Sequence, residues 1–598
     1  MKISKTDTKL INKSDIRKAV GLKGPLGSIV ASCAMSLMGL NRINRLYPQF
    51  GAYKGREFTK AAMKTFRITT DILPEELDYI PKEGPFIVVS NHPFGGWDGI
   101  VMYNTFAAVR PDFKILANFI LAHIPNLRDS FLSVNPFSGN KELHGSIAGL
   151  KAAMETLQKG GCVGIFPAGE VSTYYSGHRY TADKEWSQKV MKLIRNCAVP
   201  VIPVYFDGTN SRRFHFVGKI HPVLRTLNLP NELIRRSGKK VTMRIGKPIP
   251  AGEAGRYGNP KELGDMLRNR VYAMEANVCW TDKHMHDTPQ QPMIPASDPK
   301  ELAREMSALT PLFEASRYSC YLADTESIPT MMREIGRKRE ESFRQVGEGT
   351  GSAIDTDQFD KYYKHLILWD REQKQPAGAY RLGIGREIYD KYGVNGFYTH
   401  TLFKYSDKFT ALLPESIELG RSFLSVEYKK EALPLMLLIK GLFYTVIKYP
   451  YCKYLFGPAS ITSWLPPFYR SIIVLGLSKV AVKQEHCGLV TPRTPFKYEF
   501  LRTDPELLLQ GKTESIDTLD KFIQKLSDNH FRIPTLIKKY VRLNAEILAF
   551  NVDKEFNWCT DGMIFLDMAS VPRSEIEMLT KGSEDRDNLI QQFYGTGS

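Results

Sequence analysis

Between residues 83 and 250, short apolar runs alternate with longer stretches of helical spacing. Runs at 85–89, 114–117, 161–166, 201–206 and 241–245 have the length of buried strands, and 146–159 carries the three-to-four spacing of a helix. Strands alternating with helices predict an α/β sandwich over 71–280. Residues 281–301 are rich in Pro, Gln, His and Asp, a composition that predicts a linker. A second pattern starts near Leu302. It predicts strands at 317–322, 363–369, 377–382, 416–426 and 454–456 and an apolar helix over 432–446. Pro434 and Lys440 argue against a membrane span there. A second α/β domain is therefore expected over 302–505. Further strand and helix signals in 506–598, ending in a polar tail, predict a C-terminal α/β extension.

Composition adds a basic leader to this picture. The chain of 598 residues has a net charge of +17 and is 43% hydrophobic. Residues 1–70 hold fourteen Lys and Arg against Asp7, Asp15 and Glu57. Their apolar run, 26–40, is shorter than the ~20 residues a spanning helix needs. Two readings stay open: helices docking on an anionic membrane surface, or helices packed on the domain core. No nucleic-acid recognition motif accompanies the charge, so nucleic acid is not an expected partner. The eight cysteines are scattered, and His284 and His286 stand in a polar loop. Neither a metal site nor a disulfide framework is expected, and a reducing compartment fits.

The stretch Ser90-Asn91-His92-Pro93-Phe94-Gly95-Gly96-Trp97-Asp98-Gly99 carries the first candidate chemistry. An imidazole directly after a buried strand, with a carboxylate in the next turn or helix start, is what a general base and its orienting partner need. A polar turn around a satisfied histidine is the bland alternative. Two further blocks follow in order: Gly164-Ile165-Phe166-Pro167-Ala168-Gly169-Glu170 and Val199-Pro200-Val201-Ile202-Pro203-Val204-Tyr205. Together the three resemble the active-site blocks of the glycerolipid acyltransferases. Here five residues separate His92 from Asp98 instead of the usual four, which resembles the branch that makes amino-acid-containing lipids and includes haemolysin-like proteins. The family's phosphate-binding arginine is absent from 131–137, and the third block departs from its usual Glu-Gly. The resemblance therefore implies an acceptor hydroxyl that is not on a glycerol phosphate. Arg212 and Arg213 either hold an acidic head group or are solvated. In this family's pattern His92 takes the hydroxyl proton, Asp98 orients it, backbone donors near Gly169 receive the oxyanion, and Glu170 shapes the acceptor site.

Four blocks mark the second domain: Arg333 to Arg337 at a helix, Asp357-Gln358-Phe359-Asp360, Gly378 with Tyr380-Arg381-Leu382, and Glu418-Leu419-Gly420-Arg421-Ser422. Their order resembles the acetyltransferase-fold N-acyltransferases of ornithine- and glycine-lipid synthesis and the acyl-homoserine-lactone synthases. Amide formation needs a deprotonated amine and a stabilised oxyanion. Glu418 is the favoured base. Arg381 and Arg421 hold an amino acid's carboxylate or order the site. Asp357 and Asp360 bind the amine, brace an arginine, or simply cap a helix after Thr356. The turn at 427–432 has no glycine to cradle a CoA pyrophosphate, which points to acyl-carrier protein as donor in place of acyl-CoA. Lys429 and Lys430 either meet that acidic carrier or are only solvated.

The resemblance as a whole is to the bifunctional aminolipid synthases. A glycerolipid-acyltransferase-like domain precedes an acetyltransferase-like one. It implies N-acylation of an amino acid with a 3-hydroxyacyl chain and then O-acylation of that hydroxyl. No bound cofactor or metal is implied, and the location implied is peripheral, on the cytoplasmic face of the inner membrane. The alternative is a lysophospholipid or 1-acylglycerol-phosphate acyltransferase with a degenerate second domain.

Overall fold

The computed structural model describes residues 32, 35–36, 39–118, 124–134, 143–174, 180–220, 228–279, 290–500, 502–527, 529–580, 587 and 590–591. The chain divides into two compact units. The first is Met1–Cys279 with Leu501–Leu508, and the second is Trp280–Phe500 with Leu509–Ser598.

The first unit is built on a seven-stranded sheet. Its strands are β1 (Thr69–Asp71), β2 (Phe86–Ser90), β3 (Lys114–Asn118), β4 (Phe131–Val134), β5 (Cys162–Ile165), β6 (Val201–Phe206) and β7 (Lys240–Ile245). They lie in the order β1-β7-β6-β2-β5-β3-β4. All neighbours run parallel except β6 and β7. Every residue of β2 is buried. Phe86 and Val88 enter the core on one face, Ile87 and Val89 the core on the other. A strand covered on both faces reads as an unbroken apolar run, which is why 85–89 was visible in the sequence. Its neighbours β5 and β6 lie on opposite sides, so the chain leaves β2 at the carboxyl ends of parallel strands, where crevices form.

Of the basic leader, residues 1–31 lie outside the described residues. Helix Gly55–Thr65 buries Phe58 and Ala62 in the same core as Tyr47, Phe50 and Phe66, while Lys54, Lys60, Lys64 and Arg67 remain exposed. This part of the leader therefore packs on the domain. Among the described residues no helix is long and apolar enough to cross a membrane.

The second unit carries an eight-stranded sheet. Its strands are β8 (Phe313–Ala315), β9 (Tyr318–Asp324), β10 (Lys364–Asp370), β11 (Gln375–Ile384), β12 (Ser416–Leu424), β13 (Tyr454–Ile461), β14 (Glu546–Asp553) and β15 (Cys559–Asp567). The order is β8-β9-β10-β11-β12-β13-β15-β14. Only β12 and β13 pair in parallel. Helix Pro329–Arg344 and the apolar helix Ala432–Lys448 accompany the sheet.

Three boundaries differ from the sequence expectation. Residues 281–289 lie outside the described residues, but 291–301 belong to the second unit and do not act as a free linker. Gln291 and Ile294 donate backbone N–H groups to Gly351 and Ala353, and the Ser297 N–H donates to Glu334 at 2.9 Å. Backbone hydrogen bonds order a segment that has little apolar content to announce it. Residues 502–508 return to the first unit, where the Asp504 N–H donates to Asn269 at 3.0 Å and Arg502 lies 3.5 Å from Glu275. Residues 509–598 are not a separate extension: β14 and β15 complete the second sheet. Their partner strand β13 is about a hundred residues away, and local pattern holds no information on such pairing.

Candidate functional site

The first site forms where β2 ends. The Asn91 side chain pairs with the Phe206 backbone, donating to its carbonyl at 2.9 Å and accepting its N–H at 2.8 Å. This clamp ends the β2–β6 ladder and turns the chain out of the sheet at His92. The Asp98 carboxylate lies in the first turn of helix α1 (Trp97–Val109), where the helix dipole favours negative charge. Its Oδ2 accepts the Phe94 and Gly95 N–H groups at 3.0 and 3.1 Å. His92 Nδ1 lies 2.9 Å from the same oxygen. Asp98 is fully buried and His92 is 15% exposed. Gly95 makes the tight return possible: its φ is +79°, and a Cβ there would lie 2.5 Å from Leu229.

His92 is held from two more directions. Phe166 stacks on its imidazole with centroids 4.0 Å apart. Buried Asp183 accepts the His92 backbone N–H at 3.2 Å, along with hydrogen bonds from Ser172 and Trp186. Burial alone would push the imidazole pKa down, but Asp98, and further off Asp183, raise it above the ordinary value. Burial would likewise raise Asp98, yet His92 and the two backbone N–H groups hold it below the usual carboxylate range. With its proton on Nδ1 facing Asp98, the ring offers the Nε2 lone pair as a base.

Glu170 lies half-buried and pairs with Lys184 Nζ at 2.7 Å. Gly169 is exposed with φ +69°, and its own N–H donates to the Phe166 carbonyl at 3.0 Å. That N–H is spent on the turn, so Gly169 itself is not the oxyanion donor. Arg212 and Arg213 are exposed at the start of helix Arg212–Ile220. A different guanidinium reaches the motif. Arg236 lies flat on Phe94, 3.4 Å from the ring centroid, and donates to the Thr209 carbonyl at 3.3 Å. Burial lowers its pKa, while Asp98 and Glu232 act the other way.

The second unit gathers its predicted residues into a buried charge network. Arg381, on β11, is wholly buried, 2.5 Å from Asp357 and 3.4 Å from Asp360. Arg339 holds Asp360 from the other side at 2.8 Å. Burial would raise Asp360, but Arg339 and Arg381 together hold its carboxyl far below the usual range. Asp357 and Asp360 also form a reciprocal cap on the turn Gln358–Lys361. Capping and arginine bracing are thus both present, and Arg381 is committed to both carboxylates of the network. Arg421 occupies a bulge in β12, with φ +47° and two residues opposing Tyr380. A bulge re-aims a side chain. Here it brings Arg421 to 3.2 Å from Asp355, 3.6 Å from Asp357 and 3.2 Å from the Tyr398 hydroxyl.

Glu418 is placed differently from the expected base. It is fully buried and accepts four donors: the Thr399 N–H at 2.6 Å, the Thr399 hydroxyl at 2.5 Å, the Tyr398 N–H at 3.1 Å and the Tyr363 hydroxyl. A carboxylate so saturated has no lone pair left for a substrate proton. Glu418 anchors the Tyr398–Thr401 turn. Lys429 is likewise committed, donating to the Ser342 carbonyl at 2.8 Å. Sequence reasoning missed Phe166, Asp183, Arg236, Asp355, Arg339 and Tyr398. Phe166 stood inside a quoted block, and Asp355 and Arg339 lie two residues from one; Asp183, Arg236 and Tyr398 stood near none.

Residues 32–279 match the family model described as Acyltransferase, and residues 339–439 match the Acetyltransferase (GNAT) domain. The chain is 34% identical over 248 residues to a glycine Nα-acyltransferase of Bacteroides thetaiotaomicron, covering 39% of this chain and 72% of that protein. It is 24% identical over 274 residues to a lyso-glycine lipid O-acyltransferase of the same organism, covering 44% of this chain and 97% of that one. Among solved structures, a 1-acyl-sn-glycerophosphate acyltransferase of Thermotoga maritima aligns at 17% identity and TM-score 0.26 over 42% of this chain and 91% of its own.

Proposed function

The chain belongs to the family of the glycine Nα-acyltransferases, and from that premise we propose that it builds a diacylated glycine lipid in two steps. It is an acyltransferase of aminolipid synthesis that works by N- and O-acylation. The observation that carries this reading is that one chain is similar both to a glycine N-acyltransferase and to a lyso-glycine lipid O-acyltransferase. In the second unit a 3-hydroxyacyl thioester acylates glycine's amine. In the first, the 3-hydroxyl of that product attacks a second acyl thioester. His92 Nε2 takes the hydroxyl proton, and Asp98 fixes the ring and balances the imidazolium. The acceptor carries a carboxylate in place of a phosphate, and Arg236 on Phe94 receives it.

The donor we favour is acyl-carrier protein. Helix Ala432–Lys448 starts beside Glu427 and Glu431, with no glycine at the turn. Carboxylates there oppose a pyrophosphate at a helix start, where a nest of backbone donors would otherwise hold it. The exposed lysines and arginines of the leader hold the protein peripherally on an anionic membrane, on its cytoplasmic face. Vesicle flotation tests this: binding should require anionic lipid and fall in high salt.

Expression in a host lacking aminolipids, followed by lipid mass spectrometry, tests the function. Diacylated glycine should appear with the wild-type chain, and only N-(3-hydroxyacyl)glycine with His92→Ala. A glycerophospholipid as the sole new product would replace this reading.

A further inference from the structure

Strands β12 and β13 pair only over Ser416–Glu418 and Tyr454–Phe456. Beyond these three residues no pairing is made, although β12 runs on to Leu424 and β13 to Ile461. The sheet therefore parts at its centre. Arg421 and Ser460 both lie on the parted stretches. Next to β13, on β15, Asp561 stands opposite Ser460. It is 2% exposed, and its Oδ1 accepts the Ser460 hydroxyl at 2.7 Å. Its Oδ2 has no hydrogen-bond partner among the described residues.

Asp561 does not stand alone. Asp553, on the neighbouring β14, accepts the Tyr398 hydroxyl at 3.3 Å, and that hydroxyl in turn accepts Arg421 Nη1 at 3.2 Å. The Arg421 guanidinium rests on Phe556, 4.9 Å from its centroid. Arg421 and Asp553 are thus joined through one tyrosine, and Asp561 lies close enough to act electrostatically on Tyr398 and on both members of that pair. The charged and titratable groups that interact with Asp561 are Asp553 from β14, Arg421 from β12, Tyr398 from the Tyr398–Thr401 turn, Glu348 from the loop after helix Pro329–Arg344, and Cys559 on its own strand. Burial first, then Asp553, push Asp561 up to about 7, while Ser460 and Arg421 act against them. Burial and Asp561 push Glu348 up to about 8, with Lys429 opposing. A carboxyl that titrates near neutrality can both take and release a proton at working pH.

We propose that Asp561 is the catalytic base of the N-acyl transfer, taking a proton from the acceptor's ammonium while Arg421 receives its carboxylate. The proposal rests on the second unit's being an amino-acid N-acyltransferase. An α-amino acid presents its two charges one carbon apart, and Arg421 and Asp561, near enough to act on one another across the parted strands, answer both. The ammonium gives one proton to Asp561. The freed lone pair attacks the thioester carbonyl, the C–N bond forms, and the C–S bond breaks as the tetrahedral intermediate collapses. The nitrogen's second proton leaves with the thiolate as a free thiol, and Asp561 returns its own to solvent.

The test uses the full chain, glycine and a 3-hydroxyacyl-carrier protein, with kcat/KM for N-acylation measured across pH. Wild type should show an acidic limb near pH 7. Asp561→Asn should lower the rate at neutral pH by ~10²–10⁴-fold and remove that limb. Ser460→Ala strips away a hydrogen bond that favours the ionised carboxylate, so its limb should move to higher pH with the plateau kept. O-acylation of supplied N-(3-hydroxyacyl)glycine should be unaltered in both. A wild-type rate in Asp561→Asn, or an unmoved limb in Ser460→Ala, overturns the assignment. If Asp561→Asn does not fold, Ser460→Ala decides alone. If wild type acylates no amino acid at all, the reading of the second unit falls, and this inference with it.

Discussion

The two sites hold their carboxylates by opposite means. Asp98 is fixed by backbone N–H groups of Phe94 and Gly95, three and four residues away, at the start of its own helix. Asp360 is fixed mainly by the side chains of Arg339 and Arg381, and Glu418 by the backbone and side-chain donors of Tyr398, Thr399 and Tyr363, all from other segments of the chain. A carboxylate held by its own turn is preorganised wherever that turn forms. A carboxylate held by far-off side chains is only as rigid as the whole sheet. The first arrangement puts one reactive pair at the surface of a crevice. The second buries a lattice of charges whose members mostly hold each other, and Arg421 and Asp561 are the members to which we assign chemistry.

The largest effect should come from breaking the local pair. His92→Ala should reduce O-acylation by ~10²–10⁴-fold while N-acylation continues, read as accumulation of the mono-acylated lipid. Asp98→Asn should act on the same step with a pH signature. Asp98 raises the His92 pKa, so its loss should shift the acidic limb of O-acylation to lower pH as the plateau drops. A limb that stays in place would mean that the measured group is not His92.

Arg236 sharpens the contrast, because it is a long-range element of the local site. Arg236→Gln keeps a flat polar group over Phe94 but removes the charge. Charge-assisted hydrogen bonds contribute about 1.5–3 kcal/mol, so KM for N-(3-hydroxyacyl)glycine should rise roughly 10- to 100-fold with kcat little changed. An equal loss with an uncharged methyl-ester acceptor would show that Arg236 is not the carboxylate receptor.

This difference in range also governs what could be read from sequence. The strand at 85–89, the turn and the His92–Asp98 pair were legible because each depends on neighbours within ten residues. The charges of the second site were partly legible: Asp357, Asp360, Arg381 and Arg421 do converge. What they converge on was not. The β12 bulge that turns Arg421, the burial of Glu418 under the Tyr398–Thr401 turn, and the pairing that brings Asp561 beside Ser460 all depend on sheet order. Sheet order is set by contacts a hundred residues apart. Arg236 was missed for a related reason. It sits in a short helix-end segment with no motif, and only packing on Phe94 brings it to the site.

Glu418 tests whether the buried lattice is scaffold or machinery. In Glu418→Gln an amide N–H₂ must face at least one of the four donors now directed at the carboxylate. An unsatisfied buried donor costs about 1–3 kcal/mol. The second unit should therefore unfold at lower denaturant and N-acylate more slowly, with the acidic limb of its pH profile in place. Loss of that limb with stability unchanged would return Glu418 to the role of base.

The smallest effect belongs to Glu170 and Lys184, the pair at the open edge of the first site. Both side chains are substantially exposed, at 31% and 50%. Exposed ion pairs contribute about 0–1 kcal/mol, because water screens the attraction and two flexible side chains must be held. The partners that fix His92 are Asp98, Phe166 and Asp183. Lys184→Ala should therefore leave thermal stability nearly unchanged and alter O-acylation less than about fivefold. The same substitution becomes decisive if it fails. A loss comparable to that in His92→Ala would mean that the lysine meets the substrate directly. The first site would then draw on a charge outside its own turn as the second does, and the contrast between a self-contained pair and a distributed network would not hold.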